Sequence, residues 1–261
     1  MKEILAQSES GLRAHIYFND IAFEGIEKIY ICAPGMPNFP DKDFFEGLLA
    51  EDQGVAYAVV YYYGYWFSSQ DFTIKGCADS ISDFVLYLRG GDLTDVFFNT
   101  QLKKFKGNIS LIGYSFGANP MLRALRNIDR AQIDEVILAS PLPIVHQTQI
   151  KNNSTNIAGF YQFNVSFERF VSTGYIELVR DKMHNELEEY FSGNHPDSIV
   201  EPLDGFQEKI HLYYGNEDRM VPRTIIDQFI NSFGISNVSL VDGLGHTKQL
   251  INIALRNITH Q

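Results

Sequence analysis

A buried strand that runs directly into a serine between two glycines is the feature that most constrains the fold of this chain. In the stretch NISLIGYSFGANP, residues 108–120, apolar residues lead up to Tyr114, and Ser115 follows between Gly113 and Gly117. This pattern fits the G-x-S-x-G turn, in which a sharp strand-to-helix connection holds the serine in strained backbone angles. Side chains at the two glycine positions would clash in so tight a turn. The pattern predicts that Ser115 Oγ is lifted out of a sheet into a cleft, and the alternative is a glycine-bounded turn with no catalytic role.

Strand-like and helix-like segments alternate along most of the chain, which is the second constraint on the fold. The segments KIYICAPG (28–35) and VAYAVVYYYG (55–64) have the apolar character of buried strands. Apolar residues recur with helical spacing over 77–90 and 223–233. Buried strands that alternate with helices indicate a mostly parallel sheet with helices on both faces, which is an α/β fold.

The alternation breaks after the sixth predicted strand. Residues 141–205 contain an aromatic stretch without strand period, GFYQFNVSFERF, and then an acidic segment of helical character. We therefore predict that residues 1–140 and 206–261 form the core domain, and that residues 141–205 are inserted into it as a lid.

Composition and charge exclude several classes of function. The chain has 32 acidic and 21 basic residues and a formal net charge of -11, which disfavours a nucleic-acid partner because phosphate binding needs clustered Lys and Arg. Two cysteines without a C-x-x-C pair do not suggest a disulfide framework or a zinc site. The first residues lack the apolar core of a signal peptide, and no apolar run has the length of a membrane span. We expect a soluble cytoplasmic protein whose partner is a small-molecule substrate.

A carboxylate and a histidine follow two later strands. Asp218 lies in YYGNEDRMVP, just past a strand, and His246 lies in LVDGLGHT, just past the last strand. Serine, then acid, then histidine, each on a loop at the same sheet edge, is the chain order expected of this fold. Glu217 and Asp242 are rival carboxylates, but Glu217 is one residue off the pattern and Asp242 is on the histidine's own loop. A loop histidine that caps the final helix is the alternative for His246.

The segments GYSFGA, GNEDRMVP and GLGHT together resemble the α/β-hydrolase superfamily, and the resemblance covers essentially the whole chain apart from the insertion. It implies an α/β-hydrolase fold with a mostly parallel, eight-stranded sheet and a lid after strand six. It also implies hydrolysis of an ester, a thioester or an amide without a cofactor. In this chemistry His246 takes the proton of Ser115 and returns it to the leaving group, while Asp218 holds the imidazole tautomer.

Two backbone amides are needed to stabilise the negative charge that develops on the substrate oxygen. The amide of Phe116, at the start of the following helix, is the first predicted donor. Many relatives carry a His-Gly pair in the loop after the third strand, where this chain has Pro34, Gly35 and Met36. Gly35 allows close approach of the backbone and is predicted to line the substrate site, and the Met36 amide is the second predicted donor.

Aromatic residues after the fourth strand give a weaker indication of the substrate. Tyr63 and Trp66 lie in a dense aromatic run and are predicted to line an apolar wall near the serine, with packing of a loop as the alternative. His184, Glu188 and His195 have metal-ligating side chains, but a solvated acidic helix explains them better, so no metal is predicted.

These residues lead to one main hypothesis and two alternatives. The main hypothesis is a serine hydrolase that cleaves a small, largely apolar carboxylic ester or thioester through an acyl-enzyme on Ser115. An acyl-peptide hydrolase or peptidase-like activity is the alternative within the enzymes. The other alternative is a non-catalytic, ligand-binding protein that kept the fold, because a fold does not dictate function.

Overall fold

The computed structural model describes residues 1–35, 45, 48, 54–65, 68–142, 185–187, 189–190 and 194–259. Within these residues the strands are β1 (Lys2–Ser8), β2 (Arg13–Phe18), β3 (Lys28–Ala33), β4 (Val55–Tyr61), β5 (Leu93–Asp95), β6 (Thr100–Gln101), β7 (Asn108–Tyr114), β8 (Val136–Ala139), β9 (Ile210–Gly215) and β10 (Asn237–Val241). The longer helices are α1 (Ile74–Gly90), α2 (Ala118–Ala124), α3 (Arg223–Phe233) and α4 (Gln249–Thr259).

All ten strands belong to one sheet, in the order β10-β9-β8-β7-β3-β4-β2-β1-β5-β6. Every pairing from β10 to β4 is parallel, and the pairings from β4 to β6 are antiparallel. The predicted α/β fold with a mostly parallel sheet is therefore confirmed, but the sheet has ten strands and not the predicted eight. The two additional strands form the short hairpin of β5 and β6, which was not predicted because strands of three and two residues contain too few positions to show a period.

The central strands are buried on both faces, which explains their nearly continuous apolar sequences. In β3, Ile29 and Ile31 belong to one hydrophobic cluster, while Tyr30 and Cys32 belong to another on the opposite face. The first cluster includes apolar residues of α1, α2 and α3, and the second includes those of α4. The parallel strands are thus packed between two layers of helices, one on each face of the sheet.

Helix boundaries follow from local capping. The sequence predicted the first long helix from Cys77, but α1 begins at Ile74 because the side chain of Thr73 accepts a hydrogen bond from the Gly76 amide at 2.8 Å. The helix ends at Gly90 and is followed by Gly91, whose φ of 78° is the left-handed conformation that terminates helices. None of the helices in the described ranges is both long and apolar enough to cross a membrane.

Only part of the predicted lid, residues 141–205, falls within the described ranges. Its last described stretch packs on α2, where the Asn119 amide donates to the Ser198 carbonyl at 3.1 Å and Arg123 pairs with Asp197. The remaining residues of the predicted lid lie outside the described ranges, and the division into core and lid stays a prediction.

Candidate active site

The turn after β7 has the tight geometry that its two glycines imply. Ser115 has a φ of 52°, a left-handed value that is unusual for a residue with a side chain. A Cβ added at Gly113 would lie 2.8 Å from the Cα of Ala118, and one added at Gly117 would lie 2.0 Å from the carbonyl oxygen of Ala33. Both distances are too short for a real side chain. The glycines therefore let the serine turn press against its own helix and against β3.

His246 joins Ser115 to Asp218. Its Nε2 lies 2.8 Å from Ser115 Oγ, and its Nδ1 lies 2.8 Å from Asp218 Oδ2. An ionised carboxylate can only accept a hydrogen bond, so Nδ1 carries the proton and donates a hydrogen bond to Asp218 Oδ2. The lone pair of Nε2 then faces the serine hydroxyl, which is the arrangement a general base needs. The structure thus brings together the three side chains that the sequence singled out.

The carboxylate of Asp218 is buried but well supplied with donors. Its side chain has 0% of its surface exposed, and its Oδ1 accepts hydrogen bonds from the amides of Met220 at 2.8 Å and Val221 at 3.0 Å. The other oxygen accepts from His246. A buried charge is costly unless hydrogen bonds of this kind surround it. The loop after β9, here called the acid loop, therefore folds around the carboxylate of Asp218 and directs its second oxygen toward the imidazole of His246.

The two rival carboxylates lie elsewhere. Asp242 Oδ1 accepts a hydrogen bond from the Asn216 side chain at 2.8 Å on the exposed surface. Glu217 is exposed, and its backbone amide donates a hydrogen bond to the Leu244 carbonyl at 2.9 Å. This hydrogen bond joins the acid loop to the loop that carries His246. Among the described carboxylates, Asp218 is the one in hydrogen-bond contact with His246.

Two tyrosines adjoin this side of the site, and neither was predicted from the sequence to belong to it. The Tyr114 ring centroid lies 5.8 Å from that of His246, and burial together with the charge of Asp218 raises the pKa of Tyr114 to about 12. The Tyr214 hydroxyl donates to the Val221 carbonyl at 2.6 Å, and burial followed by the charge of Asp218 raises its pKa to about 12. Both side chains stay neutral at ordinary pH. The position of Tyr114, directly before the serine, was the available signal.

On the other side of Ser115, Phe116, whose amide is the first predicted oxyanion donor, lies next to a third tyrosine. Phe116 is buried and packs edge-to-face against Tyr62, with ring centroids 6.0 Å apart. The hydroxyl of Tyr62 donates to the Pro34 carbonyl at 2.7 Å. Gly35 is buried and follows Pro34, while the predicted donor Met36 lies outside the described residues.

Of the two aromatic residues predicted to form the apolar wall, Tyr63 lies within the described residues. The Tyr63 hydroxyl donates to Asp83 Oδ2 at 2.9 Å and lies 3.1 Å from Ser10 Oγ, contacts that hold it against α1 and the β1–β2 turn. None of these contacts involves the three site side chains. Burial raises the pKa of Tyr63 well above its usual range. Trp66 lies outside the described residues.

Of the two histidines considered as metal ligands, His195 lies within the described residues and contacts a carboxylate. His195 Nε2 lies 3.0 Å from Glu186 Oε1, whose carboxylate also accepts from the Ile74 amide at 2.8 Å. His195 thereby ties the segment that returns from the predicted lid to the start of α1. His184 and Glu188 lie outside the described residues.

Comparison with known proteins adds evidence on the fold. No protein-family model matches the sequence, and no curated protein matches it. An esterase from Exiguobacterium antarcticum is 18% identical with a TM-score of 0.58, over 99% of this chain and 100% of that chain. A serine hydrolase involved in carbazole degradation is 12% identical with a TM-score of 0.64, over 100% of both chains. A 2-hydroxy-6-oxo-6-phenylhexa-2,4-dienoate hydrolase from a Rhodococcus strain is 12% identical with a TM-score of 0.63, over 99% of this chain and 97% of that chain. At these identities the likeness establishes the shared fold.

Proposed function

We propose that this chain, which has the α/β-hydrolase fold, is a serine hydrolase that cleaves a small, largely apolar carboxylic ester or thioester. The observation that carries the proposal is the continuous hydrogen-bond chain from Ser115 through His246 to Asp218, with 2.8 Å at each step. A hydroxyl, a neutral imidazole and a buried carboxylate in this order are the groups that activate a serine nucleophile.

In the first half of the reaction the serine is acylated. Ser115 Oγ attacks the substrate carbonyl carbon while its proton passes to His246 Nε2, and the carbonyl π electrons move onto the oxygen. The resulting oxyanion is stabilised by backbone amides, with Phe116 as the first donor. When the tetrahedral intermediate collapses, the bond to the leaving group breaks and His246 returns the proton to it. Asp218 remains ionised and stabilises the imidazolium in between.

In the second half a water molecule releases the acyl group. His246 takes a proton from the water as the water oxygen attacks the acyl carbon, and a second oxyanion forms at the same place. The bond to Ser115 Oγ then breaks, His246 returns the proton to the serine, and a carboxylic acid leaves. The net change is hydrolysis of one ester or thioester bond, and it needs no cofactor.

The proposed substrate class has two supports. The structurally similar proteins named above are an esterase and two other hydrolases, which favours an acyl-transfer reaction to water. The aromatic stretch of the predicted lid, GFYQFNVSFERF, favours an apolar acyl group, because binding pockets are mostly lined by apolar and aromatic side chains.

The proposal is tested with a fluorophosphonate probe and a series of p-nitrophenyl esters of increasing acyl length. We expect the probe to label Ser115 and the esters to be hydrolysed, with a Ser115→Ala variant at least about 10⁴-fold slower. The matched control is Ser110→Ala, which removes a buried serine hydroxyl from the other end of β7 and is expected to keep activity.

Three results would change the assignment. Full activity in Ser115→Ala would remove the serine mechanism. Absence of labelling, together with binding of an unreacted ester, would favour a non-catalytic ligand-binding protein. Faster cleavage of N-acetylated peptide amides than of any ester would favour the acyl-peptide hydrolase alternative.

A further inference from the structure

Tyr62 contacts a backbone group of the loop after β3 and a side chain of the turn that carries Ser115. Its hydroxyl donates to the Pro34 carbonyl at 2.7 Å, and its ring packs edge-to-face on Phe116 at a centroid distance of 6.0 Å. The side chain is 0% exposed and follows directly after β4. One rigid, buried residue therefore connects the loop after β3 with the turn after β7.

The Pro34 carbonyl is confined from a second direction by the serine turn itself. A Cβ added at Gly117 would lie 2.7 Å from the Pro34 oxygen, so the glycine backbone packs closely against this peptide group. A peptide unit is planar and trans, so fixing the direction of the Pro34 carbonyl also fixes the opposite direction of the Gly35 amide. Pro34 itself has no polar side-chain group with which the loop could hold this orientation. The hydroxyl of Tyr62 supplies that constraint.

We propose that Tyr62 is a positioning residue for oxyanion stabilisation, because its hydroxyl fixes the Pro34–Gly35 peptide and its ring packs on the side chain of Phe116, whose amide is the first proposed donor. This inference rests on the proposed serine hydrolase function. Removal of one oxyanion donor typically costs about 10²–10³-fold in rate. Misaligning a donor that is still present should cost less, about 10- to 100-fold.

The hydroxyl is suited to a permanent role. Burial raises the pKa of Tyr62 well above its usual range, so its hydroxyl keeps its proton and remains a hydrogen-bond donor at ordinary pH. Without this hydroxyl, the Pro34 carbonyl would lose a buried partner, and the cost of an unsatisfied buried carbonyl favours its rotation toward another donor. Such a rotation would turn the Gly35 amide in the same peptide unit and would shift the chain that leads to Met36, the predicted second donor.

The test compares Tyr62→Phe with Tyr61→Phe. Tyr61 is the preceding residue, is also 0% exposed, and its hydroxyl lies 3.0 Å from His15 Nδ1 on the antiparallel part of the sheet. The two variants lose the same atom at the same burial. For each variant we would measure kcat and KM on the best p-nitrophenyl ester, and the inhibition constant of an alkyl boronic acid. The boronate forms a tetrahedral adduct with a serine nucleophile and places an oxygen where the oxyanion develops.

We expect Tyr62→Phe to lower kcat about 10- to 100-fold, to leave KM within about threefold, and to weaken boronate binding by a factor similar to the loss in kcat. Tyr61→Phe should keep kcat and boronate affinity close to the wild type. A merely structural role of Tyr62 would not single out the tetrahedral species in this way.

The other outcomes are decisive as well. Equal kinetics and equal boronate affinity in the two variants would overturn the inference, as would a loss confined to KM or a Tyr62→Phe variant that does not fold. If the wild-type protein itself is not labelled at Ser115 by the fluorophosphonate, the proposed function falls. If the wild type is labelled and turns over while Tyr62→Phe is unaffected, only the role of Tyr62 falls.

Discussion

The two sides of Ser115 differ in the groups that form them. Side chains form the side of the proposed base, His246, here called the base side, and backbone atoms form the side of the proposed oxyanion donors, here called the oxyanion side. On the base side, the side chains of Asp218 and His246 form a chain of hydrogen bonds, and Asp218 is itself held by two backbone amides. On the oxyanion side, the groups near the serine are backbone atoms, held by the packing of Gly117 and the hydroxyl of Tyr62. The base side should therefore be sensitive to an exchange of donor and acceptor in the side chains of the hydrogen-bond chain itself. The oxyanion side should be sensitive to any change that shifts its backbone, whether a methyl group added at Gly117 or the loss of the Tyr62 hydroxyl.

The largest effect on the base side is expected from Asp218→Asn. The amide oxygen of Asn can still accept from Met220 and Val221, so the loop keeps its shape, but its NH₂ group then faces Nδ1 of His246. The imidazole must turn that nitrogen into an acceptor and lose the lone pair that faces Ser115. We expect kcat/KM to fall on the order of 10³- to 10⁴-fold with an unchanged circular dichroism spectrum.

Asp242→Asn is the matched control for this prediction. It makes the same chemical change on the histidine's own loop, at a carboxylate that contacts Asn216 on the surface. Its activity should remain within about twofold of the wild type. Comparable losses in the two variants would mean that the general charge of this edge, and not one acceptor at His246, supports the reaction.

The sequence was more informative about the base side than about the oxyanion side for a physical reason. Asp218 and His246 act through side chains whose chemistry can be read directly, and the strand that precedes each one predicts the sheet edge it reaches. Backbone amides have no residue type of their own. Phe116 could be predicted because it follows the serine, but Tyr62 could not, since its relation to Pro34 depends on the neighbouring placement of β3 and β4.

The prediction of the fold was likewise correct for the long, buried elements and incomplete for the short ones. The central strands β3, β4 and β7 are long and buried, and α3 was predicted at the residues it occupies, because Ile225, Ile226, Phe229 and Phe233 recur with helical period. The hairpin of β5 and β6 was missed because its strands are very short. Tyr63 was placed at the substrate wall from composition, whereas its hydroxyl is fixed by Asp83 and Ser10. Composition indicates that aromatic residues pack together but not which partner each one meets.

The second prediction concerns the oxyanion side and changes volume without changing polarity. Gly117→Ala places a Cβ 2.0 Å from the Ala33 carbonyl oxygen, so either the serine turn or the end of β3 must move. We expect a loss of about 1–3 kcal/mol in the free energy of unfolding, and at least a tenfold loss in kcat. Denaturant unfolding and ester hydrolysis measure the two quantities.

Gly25→Ala provides the comparison for this glycine substitution. The nearest atom to a Cβ at Gly25 is the Ile21 Cδ1 at 4.0 Å, so the methyl group has room. Stability and kcat should both stay near the wild-type values. If Gly117→Ala behaves in the same way, the close approach of the two backbones is not what holds the oxyanion side.

The smallest effect on activity is expected from Tyr214→Phe, the base-side equivalent of Tyr62→Phe. Each tyrosine donates a buried hydroxyl to the carbonyl of a site loop, and for Tyr214 the acceptor is Val221 at 2.6 Å. Its loss should lower the free energy of unfolding by about 1–2 kcal/mol. Activity should stay within about threefold, because the amides of Met220 and Val221 and the imidazole still hold Asp218. A kcat loss as large as that of Tyr62→Phe would end the distinction between the two sides.

The pH dependence of stability gives a second reading of the same variant. Burial and, to a smaller extent, the charge of Asp218 raise the pKa of Tyr214 in the folded protein to about 12, whereas an unfolded tyrosine titrates near pH 10. Above about pH 10 the unfolded state therefore releases this proton first, and the contribution of Tyr214 to stability declines as pH rises toward about 12. The difference in the free energy of unfolding between wild type and Tyr214→Phe, measured by denaturant unfolding, should accordingly narrow from about pH 9 to about pH 11, the range in which an unfolded tyrosine titrates. A difference that stays constant or widens would mean that the hydroxyl is not shielded by the acid loop as its contact with Val221 implies.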